Sequence, residues 1–262
     1  MITAKQYGPW AVIPGGSEGV GAAFARKLAK AGINLVLIAR KEGPLEEVAR
    51  EARALGVQVR TLAIDLTAPD MLERVRAVTD DIEVGLLIYN AGAAHKIKPL
   101  LSQSLEDALN MVRLNPMGQV TLSYHFGKQM VARGRGGILL VGSMAGQAGA
   151  ANIAIYTAAK AFTQTLAEAL WSEFKPAGVD VCILVLGATR TPAMARAGMD
   201  LDTAEFPAAD PDEMAQLGLD NLANGPVYVP PHLAEGFQQL RTMPRAQAAE
   251  WMSAGTRTMK QD

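Results

Sequence analysis

The 262-residue sequence predicts an α/β fold, a doubly wound parallel sheet within a single domain. Three observations carry this. Short apolar runs alternate with stretches of helical spacing, the runs are apolar at nearly every position instead of every second one, and the connections between them can each contain a helix. Strands that are apolar on both faces belong in a sheet covered by helices on both sides.

Each element follows in order. Ala11 to Pro14 reads as the first strand, and Ala22 to Ala31 as the amphipathic helix that follows it. Asn34 to Ala39 supplies the second strand, whose Leu35-Val36-Leu37-Ile38 core has no polar position. Arg60 to Ile64, Val84 to Tyr89, Gly137 to Val141 and Val179 to Leu186 continue the series, with long helical stretches at Ser104 to Val131 and from Tyr156 to near Phe174. After Thr191 the regularity fails: "RTPAMARAGMDLDTAEFPAADPDE" mixes proline, alanine, methionine and acids, and residues 192–212 are expected to form a flexible lid over the substrate. Helix signals return at Pro211, "GPVYVPP" offers one short strand, and a polar helical tail runs to Asp262.

Composition narrows the function. At 49% hydrophobic residues the chain can bury one substantial core. A formal net charge of −1 without a basic block argues against nucleic acid or an anionic membrane surface as partner. No charged leader precedes a long apolar segment and no window approaches a membrane span, so a cytoplasmic setting is expected. The single cysteine, Cys182, lies in an apolar strand and reads as a buried thiol. His95 follows the "YNAG" turn and is expected to border the substrate cleft, His125 and His232 show no partner spacing, and with three histidines and no clustered acids or cysteines no metal site is expected.

Ligands of doubly wound sheets bind outside the carboxyl ends of the strands, and "PGGSEGVG" at 14 to 21 sits at the first such end. Gly15, Gly19 and Gly21 permit a sharp turn, a close approach of a diphosphate to the backbone, and a helix that starts against the sheet with its amino terminus facing an anion. At the end of the second strand a carboxylate would accept from ribose hydroxyls, whereas a cation accommodates a 2′-phosphate. Here Ala39 stands where the acid would be and Arg40 follows, which points to NADP(H). Glu18 either pairs with Arg40 or turns outward.

At later strand ends, Ser143 follows the fifth run, and Tyr156 and Lys160 stand four residues apart on one helix face. An ammonium beside a phenol lowers its pKa and makes it a usable acid or base, and the Ser143 hydroxyl is placed to bond the same substrate oxygen. Pro116, directly after Asn115, removes a helical hydrogen bond and leaves an upstream carbonyl, nominally that of Val112, open to a water.

"PGGSEGVG", "YNAG" at 89 to 92, Asn115, Ser143, Tyr156-x-x-x-Lys160 and "LGATRT" at 186 to 191 stand in an order and spacing that resembles the short-chain dehydrogenase/reductase family over roughly residues 8 to 192. The resemblance implies a Rossmann fold and a set of roles. Tyr156 would be the general acid/base, Lys160 would lower its pKa and hold the nicotinamide ribose, Ser143 would position the carbonyl, and Asn115 would support a proton relay through water. It also implies dinucleotide contacts from Gly15, Ser17, Glu18, Gly19, Val20 and Gly21, from Asp65 and Leu66 near the adenine, from Asn90, Ala91 and Gly92 on the adenosine side, and from Thr189 and Thr191 near the nicotinamide amide or diphosphate. Three positions depart from the family pattern: Pro14 replaces a threonine, Tyr89 an asparagine, and Leu186 a proline.

The segments expected to wall the substrate are "AAHKIKP", "MAGQAGAANIAI" and "PAMARAGMDLDTAEF". They leave volume at alanine and glycine, offer Met194, Met199, Leu201 and Phe206 as an adaptable apolar wall, and hold few polar groups: Gln147 and Asn152, with Lys96, Lys98 and Arg196 less directly. This pattern predicts a small-molecule substrate, a ketone or secondary alcohol with bulky hydrophobic substituents. A hydroxysteroid dehydrogenase, an acyl-carrier-linked 3-oxoacyl reductase and a non-catalytic dinucleotide sensor stand as alternatives. The family resemblance further implies a homotetramer assembled through the two long helical stretches.

Overall fold

A computed structural model of the chain describes residues 2–92, 97–196 and 208–257. Its centre is a seven-stranded sheet in the order β3-β2-β1-β4-β5-β6-β7, with every neighbouring pair parallel. The strands are β1 (Trp10–Pro14), β2 (Asn34–Ala39), β3 (Val59–Ala63), β4 (Val84–Tyr89), β5 (Gly136–Ser143), β6 (Val179–Leu186) and β7 (Val227–Tyr228). The expected strands are all present, displaced by at most a few residues. Ser143 is the last residue of β5, and "GPVYVPP" contributes only two residues as an edge strand.

The sheet is buried on both faces, as its unbroken apolar runs require. On one side Leu35 and Leu37 join Phe24, Leu28, Leu139 and Leu184; on the other Val36 and Ile38 join Leu87, Phe126, Ile138 and Ile183. The first face is covered by α2 (Gly19–Lys30), α3 (Glu42–Ala54) and α9 (Pro211–Asn221). The second is covered by α4 (Met71–Ala77), α6 (Gly118–Arg133) and α7 (Ala154–Phe174). Shorter pieces are α1 (Ala4–Tyr7), α5 (Leu105–Val112) and α8 (Pro192–Arg196), and the chain continues through α10 (Ala234–Thr242) and α11 (Arg245–Arg257). Cys182 is fully buried in β6, and burial pushes its thiol up to about 12, so it is an inert packing group.

The strand order reverses between β1 and β4, and there the loops diverge to opposite faces of the sheet and open a crevice at the strands' carboxyl ends. Among the described residues no helix is long and apolar enough to cross a membrane.

Candidate active site

The glycine loop between β1 and α2 is built by backbone bonds to its neighbours. Gly15 and Gly16 donate to the Ile38 carbonyl at 2.8 and 3.3 Å, which seats the loop against the end of β2 beside the exposed Arg40. Gly15 has φ +82°, and a Cβ there would meet the Ala91 nitrogen at 2.8 Å; one on Gly21 would lie 1.9 Å from the Gly15 carbonyl oxygen. Pro14 costs the loop nothing, because the position is needed as an acceptor: its carbonyl receives the Asn90 and Ala91 amides at 3.0 and 2.9 Å. The Asn90 side chain donates to the Gly15 carbonyl at 2.9 Å. Among the described residues no side chain caps the amino terminus of α2, which leaves its first N–H groups suited to an anion. These features fit a dinucleotide with its diphosphate on the loop and Arg40 within reach of the adenosine ribose.

Glu18 turns away from Arg40. Arg196, the last residue of α8, grips it with both guanidinium nitrogens, one at 3.0 Å. The segment after Thr191 is therefore tied to the glycine loop, a pairing across 178 residues that no local pattern announces. Thr191 itself reaches that loop: its Cγ2 lies 2.8 Å from where a Gly19 Cβ would stand. Thr189 is buried and bridges to Ala209, which closes the base of the 192–212 stretch, and Asp210 caps α9 by accepting the Asp212 and Glu213 amides. Asp65 and Leu66 follow β3, the Leu66 side chain buried and Asp65 exposed, with its Oδ1 accepting both the amide and the hydroxyl of Thr67.

Ser143, Tyr156 and Lys160 come together at the end of β5. The Ser143 hydroxyl lies beside the Tyr156 phenol, and its Oγ accepts the Ala145 amide at 3.1 Å. The Lys160 ammonium is buried, donates to the Val141 carbonyl at 2.8 Å and lies 5.6 Å from the centre of the Tyr156 ring. Gly146 lets the turn after Ser143 lie on α7, since a Cβ there would meet the Lys160 carbonyl carbon at 2.8 Å. Burial pushes Lys160 down to about 8. Tyr156 differs from the sequence expectation: burial raises its phenol above the ordinary range, and the neighbouring Ser143 hydroxyl opposes this only in part. The ammonium is committed to Val141 and faces the ring, so Tyr156 is held protonated, as a proton donor.

Asn115 lies in a π turn, Arg113–Met117, between α5 and α6. Its Nδ2 donates to the Met111 carbonyl at 3.1 Å, while its buried Oδ1 has no hydrogen-bond partner among the described residues and fills the space a Gly92 Cβ would take. Pro116 interrupts the α register here as expected, and Leu114 is a carbonyl whose α-helical donor is drawn away. The Gly118 amide, its α-helical partner, bonds Arg113 and Asn115 instead, and the Tyr89 hydroxyl occupies the Leu114 carbonyl at 2.5 Å.

A sequence model of the family described as short chain dehydrogenase matches residues 9–202. The chain belongs to that family. It is an oxidoreductase acting on CH–OH groups, and the family binds a nicotinamide dinucleotide. It is 31% identical to a 7beta-hydroxysteroid dehydrogenase of Mediterraneibacter gnavus over 195 residues, 74% of each chain. It is 37% identical to a very-long-chain 3-oxoacyl-CoA reductase of Neurospora crassa over 68% of this chain and 55% of that one. Among solved structures, one reported for 7beta-hydroxysteroid dehydrogenase stereoselectivity superposes with TM-score 0.89 at 26% identity, over 96% of this chain and 99% of that one. A short-chain dehydrogenase from Sphingobium yanoikuyae in complex with NADPH gives 0.79 at 32%, over 93% and 99%. The bulky-bulky ketone specific alcohol dehydrogenase from Comamonas testosteroni gives 0.75 at 28%, over 93% and 98%.

In this short-chain dehydrogenase the walls beside Ser143 and Tyr156 are fixed from the C-terminal side. Ser253 and Thr256 of α11 bond the amide and carbonyl of Ala151 at 2.9 and 2.8 Å, and Arg245 donates to the Gln147 carbonyl at 2.8 Å. Asn152, at φ +66°, accepts the Lys98 amide on its carbonyl at 2.9 Å, which joins this loop to the segment after Gly92. Three of the polar side chains expected in the pocket are thus engaged elsewhere: the Gln147 carboxamide with Gln164 at 2.7 Å, Asn152 with the Thr256 carbonyl at 3.4 Å, and Arg196 with Glu18. His95, Lys96, Met199, Leu201 and Phe206 lie outside the described residues.

Proposed function

We propose that this enzyme is an NADPH-dependent ketoreductase and alcohol dehydrogenase that interconverts secondary alcohols and ketones bearing bulky hydrophobic groups. The observation that carries the reading is the meeting of Ser143, Tyr156 and Lys160 at the carboxyl end of β5, in a molecule whose glycine loop lies against the end of β2 beside an exposed Arg40. A reduced nicotinamide, when bound, supplies the hydride taken up by the carbonyl carbon. The chain does the rest. The Tyr156 hydroxyl gives its proton to the carbonyl oxygen, the Ser143 hydroxyl holds that oxygen by a hydrogen bond, and the Lys160 ammonium beside the phenol favours the phenolate left behind. Asn115 supports the return of a proton to Tyr156 through water. Gly15 to Gly21, Asp65, Leu66, Asn90 to Gly92, Thr189 and Thr191 hold the dinucleotide, and Arg40 selects its 2′-phosphate. Residues 192–212 act as the lid, latched to the loop through Arg196 and Glu18.

The substrate class is supported by the engagement of Gln147, Asn152 and Arg196 with protein partners, which withdraws three polar side chains from the walls beside Ser143 and Tyr156. The similarity to a hydroxysteroid dehydrogenase and a bulky-ketone dehydrogenase agrees with it. The similarity to 3-oxoacyl-CoA reductases supports a second reading, a long-chain 3-oxoacyl thioester as substrate. A panel of acetone, acetophenone, diaryl ketones, oxosteroids and a 3-oxoacyl thioester, run with NADPH and with NADH, separates these. The proposal expects kcat/KM to rise with the bulk of both substituents and to favour NADPH by about ten- to a hundredfold. A preference for acetone or for NADH contradicts it.

A further inference from the structure

Tyr89 is a departure from the family pattern that the dinucleotide site does not use, and it is fully buried at the end of β4. A phenol hydroxyl without a partner in such a place would be costly. Its partner is the Leu114 carbonyl, 25 residues away at 2.5 Å. In an unbroken α-helix that carbonyl would accept from the Gly118 amide, but here the amide bonds Arg113 and Asn115. The hydroxyl and the π turn therefore account for each other: the turn frees the carbonyl, and the phenol satisfies it. Gly118 makes the room, since a Cβ on it would stand 2.1 Å from the Tyr89 oxygen.

A second interlock lies three residues further on, where Gly92 lacks the Cβ that would meet the Asn115 Oδ1 at 2.0 Å. The turn Asn90–Gly92 and the turn Arg113–Met117 are thus fitted to each other at two points. Beyond the π turn, Gln119 accepts from the Thr163 hydroxyl at 2.9 Å on α7, the helix of Tyr156 and Lys160.

We propose that Tyr89 is a positioning residue for the reaction, its hydroxyl holding the π turn in the register that sets Asn115 between the Asn90–Gly92 turn and α7. Without that bond the Leu114 carbonyl competes for the Gly118 amide against the π register that Pro116 favours, the turn loosens, and Asn115 shifts about the helix axis by up to about 100°, the angle of one residue. Tyr89 touches neither substrate nor dinucleotide in this arrangement; it acts through Asn115. The kinetic part of the argument rests on the ketoreductase reading, whereas the register itself does not.

Tyr89→Phe, Gly118→Ala and the double variant test it, with kcat and KM for ketone and NADPH, the pH profile of kcat, and amide hydrogen exchange over residues 113–118. The Gly118 methyl displaces the hydroxyl, so both single variants lose one contact by different routes. The expected result is a kcat about ten- to a hundredfold lower in each, with both KM values within about twofold, a displaced pH profile, and a double variant no worse than either single. Faster exchange at residues 113–118 should accompany it. Unchanged kcat per folded molecule with a lower Tm, or losses that simply add, would show a packing role and overturn the proposal. If the wild type reduces no ketone, the ketoreductase reading fails by itself, and exchange unaltered in Tyr89→Phe still overturns the register.

Discussion

At the scale of single residues, the site separates two groups by what burial does to each. Tyr156 keeps its proton because burial outweighs the neighbouring Ser143 hydroxyl. Replacing it with phenylalanine removes the proton donor and leaves the glycine loop intact. Turnover should fall by about two to four orders of magnitude while dinucleotide affinity, read by fluorescence titration, stays within a few-fold. Lys160 titrates near about 8 in the folded chain against 10.5 ordinarily. Between these values the unfolded chain holds more protons, so stability rises with pH across the window; below about 8 both states are charged and the burial penalty is fully present. Lys160→Met removes that penalty. Denaturant melts of the dinucleotide-free protein should find the variant ahead of wild type by a margin that is constant below pH 8 and shrinks towards pH 10.5. A margin that grows with pH would contradict the burial account.

At the scale of elements, α11 acts on the substrate wall through its hydrogen bonds to Ala151. Ser253→Ala or Thr256→Val strands a half-buried amide or carbonyl, worth about 0.5–1.5 kcal/mol, and loosens the loop between Ser143 and Tyr156. Each should lower Tm and raise KM for bulky ketones several-fold, with KM for NADPH unchanged. A lower Tm with unaltered KM would make α11 a brace only. This element also shows where reading the sequence stops. The strands and the glycine loop were legible because each is a local pattern: a run apolar on both faces, or glycines where backbone passes backbone. The Tyr156–Lys160 pair was legible only together with Ser143, Asn115 and the glycine loop, because its helical spacing alone is common. The Ser253–Ala151, Arg196–Glu18 and Tyr89–Leu114 contacts join residues far apart in the chain, and a serine, an arginine and a tyrosine each look alike whether paired or solvated. Pro116 signalled a break, but the loss of the Leu114 carbonyl's donor depended on the π register, which the neighbouring strand helps to decide.

At the scale of the whole molecule, the helices that carry the site leave an apolar face towards solvent. Leu105 on α5 is 74% exposed and Tyr124 on α6 is 73% exposed, and Leu109, Val120, Val131 and Phe162 on α5 to α7 are exposed beside other polar positions. Val120, Tyr124 and Val131 share one stripe of α6, at spacings of four and seven. The sheet covers the opposite side of α6 through Leu122, Phe126 and Met130, so this stripe lies away from the core of the protomer. Apolar side chains repeated along one face, and not scattered, mark an association surface. A surface on α5 to α7 that is self-complementary about a twofold axis would give a dimer, and a second axis the homotetramer that the family resemblance implies. Light scattering at micromolar concentration should return a mass of four chains. Tyr124→Arg together with Leu105→Arg places charges at the centre of the face, where burial without partners costs several kcal/mol, and should yield dimers or monomers. Because α6 and α7 also frame Asn115, Tyr156 and Lys160, dissociation should lower Tm and kcat together. A wild-type chain that is monomeric, or a double variant that keeps the full mass, would place the assembly surface elsewhere.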